Sequence, residues 1–461
     1  EECGNMAREG LRTLVFGKKD LTQKEYDAFA AKLKQAKVAI KNRKVNVQKV
    51  IEGLEKGLDL IGLTGVEDKL QEGVKETLET LRNAGIRVWM LTGDKVETAT
   101  CIAISARLVS RHQTIFQFQV KSAADAQDLI DKFATKKDAA LVIDGKSLQM
   151  CLDNFPEHFV EIACKAPSVV CCRCTPTQKA EIVKLIKDHT GKKTCAIGDG
   201  GNDVSMIQAA DVGLGIVGKE GKQASLAADF SINKFHYIKR LIIWHGRNAY
   251  KRSANLGQFV IHRGLVIAFI QAVFSAIFYF AAVTIYNGWL IVGYSTFYTM
   301  MPVFALVFDS DVSESIAFQY PELYRELQKG RALSYKTFFV WVLQSLYQGG
   351  VIMVLAIALF ESQFINVVAI TFTVLILTEL LNIVLEIHIW NLIIILSLVL
   401  SVVIYFVSMA VLKTYFDLSF VLTLPFWWKV ATILAVAVIP VYIIKIGKRK
   451  LDPPAYSKLK E

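Results

Sequence analysis

Six apolar runs in the second half of the sequence set the first limit on its fold, because each approaches the roughly 20 residues a helix needs to cross a bilayer. They are Leu256 to about Val283, Trp289 to Phe308, Phe338 to Phe360, Val367 to Leu385, Leu392 to Leu412 and Trp428 to Ile446. A chain that carries them is not one water-soluble globule. An even number of crossings leaves both flanks on one side. Lys and Arg crowd "HYIKRLIIWHGRNAYKRSAN" ahead of the first run and the tail "KIGKRKLDPPAYSKLK", whereas the turn near Tyr286 and the loop near Glu361 have none. Both flanks are therefore expected in the cytosol. The formal net charge of +11 reads as this orientation signal and as attraction to the anionic inner leaflet. No nucleic-acid-binding motif accompanies it, so no nucleic-acid partner is expected.

The part before about Lys251 reads as soluble α/β structure. Apolar runs "RVWMLT", "ALVID", "SVVCC", "TCAIG" and "VGLGI" alternate with helix-like segments such as "EGVKETLETLRNAG" and "QKAEIVKLIKDH". That alternation predicts a parallel sheet covered by helices on both sides. Ahead of it, "GLRTLVFGK" reads as a strand, followed by a Lys-rich helical stretch from Lys24 to about Glu55. All eight cysteines fall in this front half, which suits a reducing compartment. "CCRC" reads as a buried strand rather than a zinc site, since no CxxC or His pair accompanies it at ligand spacing. The start, "EECGNMAREG", has neither the basic lead nor the apolar run of a signal peptide.

Three predicted strands end in polar groups suited to phosphate. Thr92, Gly93 and Asp94 follow "RVWML", Lys179 opens the helix after "CTPTQ", and Asp199, Asn202 and Asp203 close "TCAIG". In an α/β fold, ligands bind beyond the carboxyl ends of strands. A hydroxyl and backbone N–H groups can hold phosphoryl oxygens, a lysine can neutralise them, and the acids can hold magnesium.

In this order the motifs resemble the haloacid-dehalogenase-like phosphorylation domain of P-type ATPases. "GLTGVEDKLQ", "LTGDKVETA", "LVIDGKSL", "CCRCTPTQKAEIV" and "AIGDGGNDVSMIQAADVGLGIVGKEGKQASLAADFSI", with "YPELYRELQKG" after the second run, look like type IV, the phospholipid flippases. The resemblance implies a catalytic set of Thr92, Gly93, Asp94, Lys179, Asn202 and Asp203. It also implies that these residues, with Arg12 and Arg173, meet the nucleotide and its phosphates. Asp199 and Asp203 would hold the metal. The implied cofactors are Mg2+ and ATP, and the implied substrate is a phospholipid, with aminophospholipids favoured, moved to the cytosolic leaflet. Golgi, endosomal or plasma membranes are the implied locations.

By the same resemblance, residues 1–60 would be the end of a nucleotide-binding domain and 61–235 the phosphorylation domain. Residues 236–255 would form a cytosolic stalk, 256–447 six transmembrane helices and 448–461 a cytosolic tail. The family's nucleophile, the aspartate of Asp-Lys-Thr-Gly, is absent from this sequence, as are the Asp-Gly-Glu-Thr-type loop and four earlier spans. The chain alone is therefore not expected to autophosphorylate, and the remainder of the ATPase is an expected requirement.

Charges inside a membrane are costly, so they mark function. Arg263 lies about seven residues past Leu256, or about 10 Å deep at helical rise. It aligns with a lysine of the family's fifth helix. An arginine there resembles the monomeric branch, which works without an accessory glycoprotein subunit. Glu379, Asn382 and Glu386 share one helical face, with Glu379 at a depth matching Arg263. Arg263, Glu379 and Asn382 are the expected lipid-binding residues, and an Arg263–Glu379 ion pair is the bland alternative. Asp309 and Asp311, beside Ser310 and Ser313, read as a solvated helix end, and Pro302 as a kink that frees a carbonyl. A cation pump would need convincing acidic or amide ligands in the first two runs. A truncated, non-catalytic regulatory membrane protein is the remaining alternative. In the leading reading, lipid binding triggers dephosphorylation through the helix joining Lys239 to Leu256.

Overall fold

A computed structural model describes residues 2–9, 11–39, 41–67, 69–110, 112–120, 122–136, 138–218, 222–280, 282–359 and 363–459. Asp68, Lys219, Glu220, Gly221, Phe360 and Glu361, all in stretches singled out above, lie outside the described residues, as does the side chain of Arg12. The chain divides into two units. One is Glu1–Arg82 with Arg87–Tyr237; the other is Asn83–Ile86 with Ile238–Glu461.

The first unit opens with α1 (Glu2–Arg8), β1 (Leu11–Lys18), α2 (Gln23–Val38), α3 (Arg43–Leu54) and β2 (Asp59–Glu67). The Lys-rich stretch is two helices rather than one, interrupted at Asn42, whose φ of 54° is left-handed and suits an asparagine. Thr22 starts α2 through a reciprocal capping box with Glu25. β1 and β2 pair antiparallel from Leu11 opposite Glu67 to Lys18 opposite Asp59, so β2 runs through residue 60.

After them come α4 (Val74–Asn83), β3 (Trp89–Leu91), α5 (Val96–Ser105), β4 (Ile115–Phe118), α6 (Ala123–Ala134), β5 (Ala140–Asp144), α7 (Gly145–Asn154) and α8 (Pro156–Ala163). β6 (Val169–Cys172), α9 (Pro176–Thr190), β7 (Cys195–Gly198), α10 (Val204–Ala209), β8 (Val212–Ile216), α11 (Gln223–Ala227) and β9 (Phe230–Ile232) complete the unit. The five expected strands form, and β4 and β9 join them. All these strands are parallel, as expected, but they make two sheets: β4-β5-β6-β3 and β7-β8-β9.

The reason lies at the facing edges. β5 and β6 are apolar and almost wholly buried, whereas β3 is half-buried along its length and Cys195 of β7 is exposed. β3 and β7 each bond a neighbour on one side only. α9 joins the two sheets: Ile182 packs into the core with Leu141, Ile143 and Val169, while Val183 packs with Ala196 and Met206 against Leu91.

Among the described residues six helices are long and apolar enough to cross a membrane, all but the first residue of the first lying in the second unit: Tyr237–Ile277, Gly288–Phe308, Tyr335–Leu359, Phe364–Glu386, Leu392–Val411 and Leu424–Leu451. The first runs unbroken through the predicted stalk, with a wide i→i+5 turn over Arg240–Gly246, and ends at Ile277 rather than near Val283. The fourth is the enclosed one, with 83% of its apolar stretch buried against 22–50% in the others. Its residues Ile370, Phe372, Val374, Leu375 and Ile376 centre a core with Val266, Ile270, Met353, Tyr405 and Ile433.

The proline inside the sixth span frees a carbonyl that a neighbouring span addresses. Pro440 cannot donate to Val436, whose carbonyl instead accepts from the Tyr347 hydroxyl at 2.8 Å. Ahead of Pro302 the second span widens over Tyr294–Tyr298, and Thr299 leaves helical geometry at φ −126°. The Thr299 hydroxyl then donates to Tyr294 O at 2.6 Å.

Candidate functional site

The carboxyl ends of β3 and β6 are laced together. Thr92 N donates to Cys171 O (2.9 Å), Cys174 N to Thr92 O (2.9 Å) and Arg173 N to Asp94 O (3.0 Å). Arg173 takes a left-handed φ of 52°, which turns the chain sharply and leaves its side chain exposed beside Asp94. Thr92 Oγ1 donates to Asp94 Oδ2 (2.9 Å) and accepts from Asp94 N (3.2 Å), while Gly93 is open on its outer side. The thiols beneath differ in character. Burial pushes Cys172 up to about 12, whereas a hydrogen bond with Cys171 and then the charge of Lys179 hold Cys174 below the ordinary thiol value.

Lys179 is aimed by the start of α9. Thr175 caps the helix with Gln178 in a reciprocal pair, and Pro176 occupies the first turn, where its missing N–H costs nothing. Gln178 Nε2 also donates to Gly145 O (2.8 Å) and Gln149 Oε1 (2.9 Å). So fixed, Lys179 Nζ reaches Asp203 Oδ1 at 2.8 Å, with the two side chains 10% and 14% exposed. Gly198 makes this possible, since a Cβ there would overlap the Asp203 side chain.

Asp199 and Asn202 are exposed, and neither has a hydrogen-bond partner among the described residues. The structure thus brings Lys179 to Asp203 and Thr92 to Asp94, and leaves Asp199 and Asn202 free. Among the described residues no group of three or more His, Cys, Asp or Glu converges on one point. Magnesium does not require one, because it commonly takes one or two carboxylates and fills its shell with waters and phosphate oxygens. The free Asp199 with Asp203 fits that donor set. The helix-capping residues Thr175 and Gln178 were missed as aiming groups, although the string Thr-Pro-Thr-Gln is a legible capping box.

In the second unit a polar cluster lies among the first four spans. Arg263 is half-buried, donates Nη1 to Thr299 Oγ1 (2.9 Å) and lies over the Tyr294 ring (5.7 Å). The Arg263–Glu379 ion pair weighed as the alternative is not made among the described residues: Thr299, released by the irregular turn before Pro302, takes the guanidinium instead. Glu379 and Asn382 are fully buried behind it. Asn382 pairs reciprocally with Gln348 (3.2 and 3.0 Å) and reaches His262 Nε2 (3.1 Å). His262, Ser345, Gln348, Thr299 and Tyr294 were not among the predicted residues. Polar side chains in the otherwise apolar strings "FVIHRGLVIAF" and "WVLQSLYQGG" were the available signal.

The reading of Asp309 and Asp311 as a solvated helix end is corrected. Asp309 accepts from His388 N (3.0 Å), Ile389 N (3.0 Å) and His388 Nδ1 (2.9 Å). Asp311 is gripped by both terminal nitrogens of Arg247 and by Lys251, and its side chain and that of Arg247 are only 6% and 1% exposed. Burial opposes ionisation of Asp311, but these cations hold its carboxyl down to about 2. Glu386, expected on the Glu379 face, pairs with Lys445.

Comparison with known proteins bears on both units. Residues 225–454 match a family described as phospholipid-translocating P-type ATPase C-terminal, and residues 6–211 match haloacid dehalogenase-like hydrolase. Over 460 residues the chain is 59% identical to a probable phospholipid-transporting ATPase IIB of Danio rerio, covering 100% of this chain and 41% of that protein. It is 57% identical over 471 residues to the Homo sapiens protein of that name, covering 100% and 41%. Identity to the phospholipid-transporting ATPase NEO1 of Saccharomyces cerevisiae is 51% over 466 residues, covering 100% and 40%. The chain thus spans about two fifths of the length of these relatives.

Proposed function

The chain belongs to the phospholipid-translocating P-type ATPases, and from that premise we propose that it supplies the phosphate-holding side and the lipid-handling spans of an ATP-driven phospholipid translocase. The observation that carries the proposal is the Lys179–Asp203 contact at 2.8 Å, beyond the carboxyl ends of parallel strands and next to the free Asp199. A lysine held by a carboxylate at 10% exposure is positioned before phosphate arrives, so little reorganisation accompanies binding.

In this reading Thr92, Gly93 and Lys179 hold the phosphoryl oxygens, and Asn202 orients them. Asp199 and Asp203 hold magnesium, which neutralises developing charge on the phosphate. Asp94, Arg173 and Arg12 face the nucleotide. The nucleophile comes from a segment of the complete protein that this sequence does not contain.

Among the spans, Arg263 is the accessible member of the predicted trio and meets the lipid phosphate, for which its planar fork is suited. Glu379 and Asn382 line the polar interior behind it. The lipid moves toward the cytosolic leaflet, an aminophospholipid is the favoured cargo, no accessory glycoprotein is required, and Golgi, endosomal or plasma membranes are the sites of action. The test uses the complete enzyme. Asp199→Asn should abolish magnesium-dependent phosphoenzyme formation from labelled ATP, and ordinary phosphoenzyme levels would refute the assignment.

A further inference from the structure

Glu379 is the only acid among the described residues that is fully buried with both carboxylate oxygens unbonded. An ionised carboxylate in such a place forfeits a solvation that only a paired cation or several donors can replace. Among the described residues neither oxygen is hydrogen-bonded, and the two candidates nearest in kind, Arg263 and Tyr294, are bonded elsewhere. Arg263 is turned to Thr299 and the Tyr294 ring. Tyr294, which adjoins Glu379, spends its single hydroxyl proton on Arg263 O at 3.0 Å, so it faces the acid as an acceptor.

His262 Nε2 is 3.9 Å from Glu379 Oε1, and the surrounding network fixes its state. Gln348 Nε2 donates to Asn382 Oδ1 (3.2 Å) and Ala437 O (3.3 Å). Asn382 Nδ2 has two hydrogens, one for Gln348 Oε1 (3.0 Å) and one for His262 Nε2 (3.1 Å). Nε2 must therefore accept, and the ring proton sits on Nδ1, 2.6 Å from Ser345 Oγ. Ser345 passes its own proton to Trp341 O at 2.8 Å. His262 is neutral, and a second ring proton would point at the Asn382 donor. The other charged or titratable groups close by do not compensate. Tyr294 and Thr299 of the second span and Ser345 and Gln348 of the third are neutral and engaged with other partners, and Lys445 of the sixth is engaged by Glu386 and the Trp341 ring (5.1 Å). With neither oxygen bonded to a donor and the Tyr294 hydroxyl oxygen able to accept, the surroundings suit a carboxylic acid O–H rather than a carboxylate.

We propose that Glu379 is a proton-binding site of the bundle: it carries one proton while the spans close around it and releases it when a movement of the first two spans brings Arg263 or water alongside. The step is simple in balance. The carboxyl O–H bond breaks, the electron pair stays on the carboxylate, and the proton passes to water; closure reverses it. Uptake and release then accompany each transport cycle. That consequence rests on the translocase reading, whereas the protonated acid does not.

Infrared spectroscopy of the chain in lipid nanodiscs at neutral pH tests the acid itself. A protonated-carboxyl carbonyl band, shifted by deuterium exchange, should be present in the native chain and lost in Glu379→Gln; identical spectra overturn the proposal. Glu379→Gln mimics the neutral acid, so it should melt at the native temperature, and a marked drop shows an ionised, paired carboxylate and overturns it too. In the complete enzyme, the pH profile of lipid-stimulated ATP hydrolysis should lose one limb in Glu379→Gln, or shift it in Glu379→Asp where the glutamine variant turns over too slowly. Unchanged profiles overturn the coupling to transport. Absence of lipid stimulation in the native enzyme overturns the translocase reading and leaves the infrared result standing.

Discussion

Asp199 in the first unit and Glu379 among the spans are both acids whose side chains have no hydrogen-bond partner among the described residues, and their surroundings make them opposite cases. Asp199 is exposed at the end of β7, where water stabilises its charge and a metal can displace that water at small cost. Glu379 is fully buried, and no donor among the described residues is bonded to its oxygens. The same contrast separates two ion pairs. Lys179–Asp203 is mostly buried at 10% and 14% exposure but adjoins the exposed stretch of Asp199 and Asn202, whereas Arg247–Asp311 is sealed at 1% and 6%. In the front half, polar groups stand ready for something to arrive; among the spans they are already enclosed, and function must come from changing partners.

The comparison breaks most visibly if the two regions cannot be separated by mutation. In the complete enzyme, Arg263→Ala should abolish the lipid-dependent rise in ATP hydrolysis while a phosphoenzyme still forms from ATP, the reverse of the defect expected of Asp199→Asn. Persisting lipid stimulation in Arg263→Ala would remove the headgroup role. The Thr299 partner sharpens the point: Arg263 is held by a neutral hydroxyl, which a lipid phosphate can outcompete, rather than by the ion pair with Glu379 that sequence spacing allowed.

Next in size is the buried pair at the end of the second span. Asp311→Ala strands Arg247 and Lys251 without their counter-ion, and removing one member of a buried pair typically costs about 3–5 kcal/mol. Thermal unfolding of the chain in detergent should show that loss. A change no larger than an exposed ion pair gives, about 0–1 kcal/mol, would show that the site is wetter than its burial indicates.

These cases also show what a sequence can and cannot convey. The strand ends carrying Thr92, Lys179 and Asp199 were legible because strand, turn and helix signals each mark a local position. Six spans were legible because length and apolarity suffice. The split of the expected single sheet was not, since it depends on β3 and β7 failing to pair, a relation between segments about a hundred residues apart. Nor was the fate of Asp309 and Asp311. "FDSDVSES" looks like a solvated turn, and its burial comes from Arg247, Lys251 and His388 on other helices. Arg263 was found by depth, but its partner was decided by a wide turn and Pro302 in the next span.

The smallest expected effect returns to the first unit and tests whether its acids are as mildly coupled as the comparison holds. Asp211 joins the starts of β7 and β8, accepting from Thr194 N (3.0 Å), Thr194 Oγ1 (3.2 Å), Lys193 (3.0 Å) and Lys187 (3.1 Å). The Thr194 backbone donor first, then Lys193, hold its carboxyl well below the ordinary carboxylate value. Because the folded value is the depressed one, the ionised acid favours the fold. That contribution is complete above the unfolded value of about 3.9 and fades as pH falls through the folded value. Asp211→Asn should therefore be less stable than the native chain near neutrality. The gap, followed by denaturant unfolding in detergent, should narrow as the solution is taken from about pH 5 toward about pH 2. A gap that stays constant across that range would mean that Asp211 acts by shape rather than by charge, and the line drawn between the acids of the soluble unit and those among the spans would disappear.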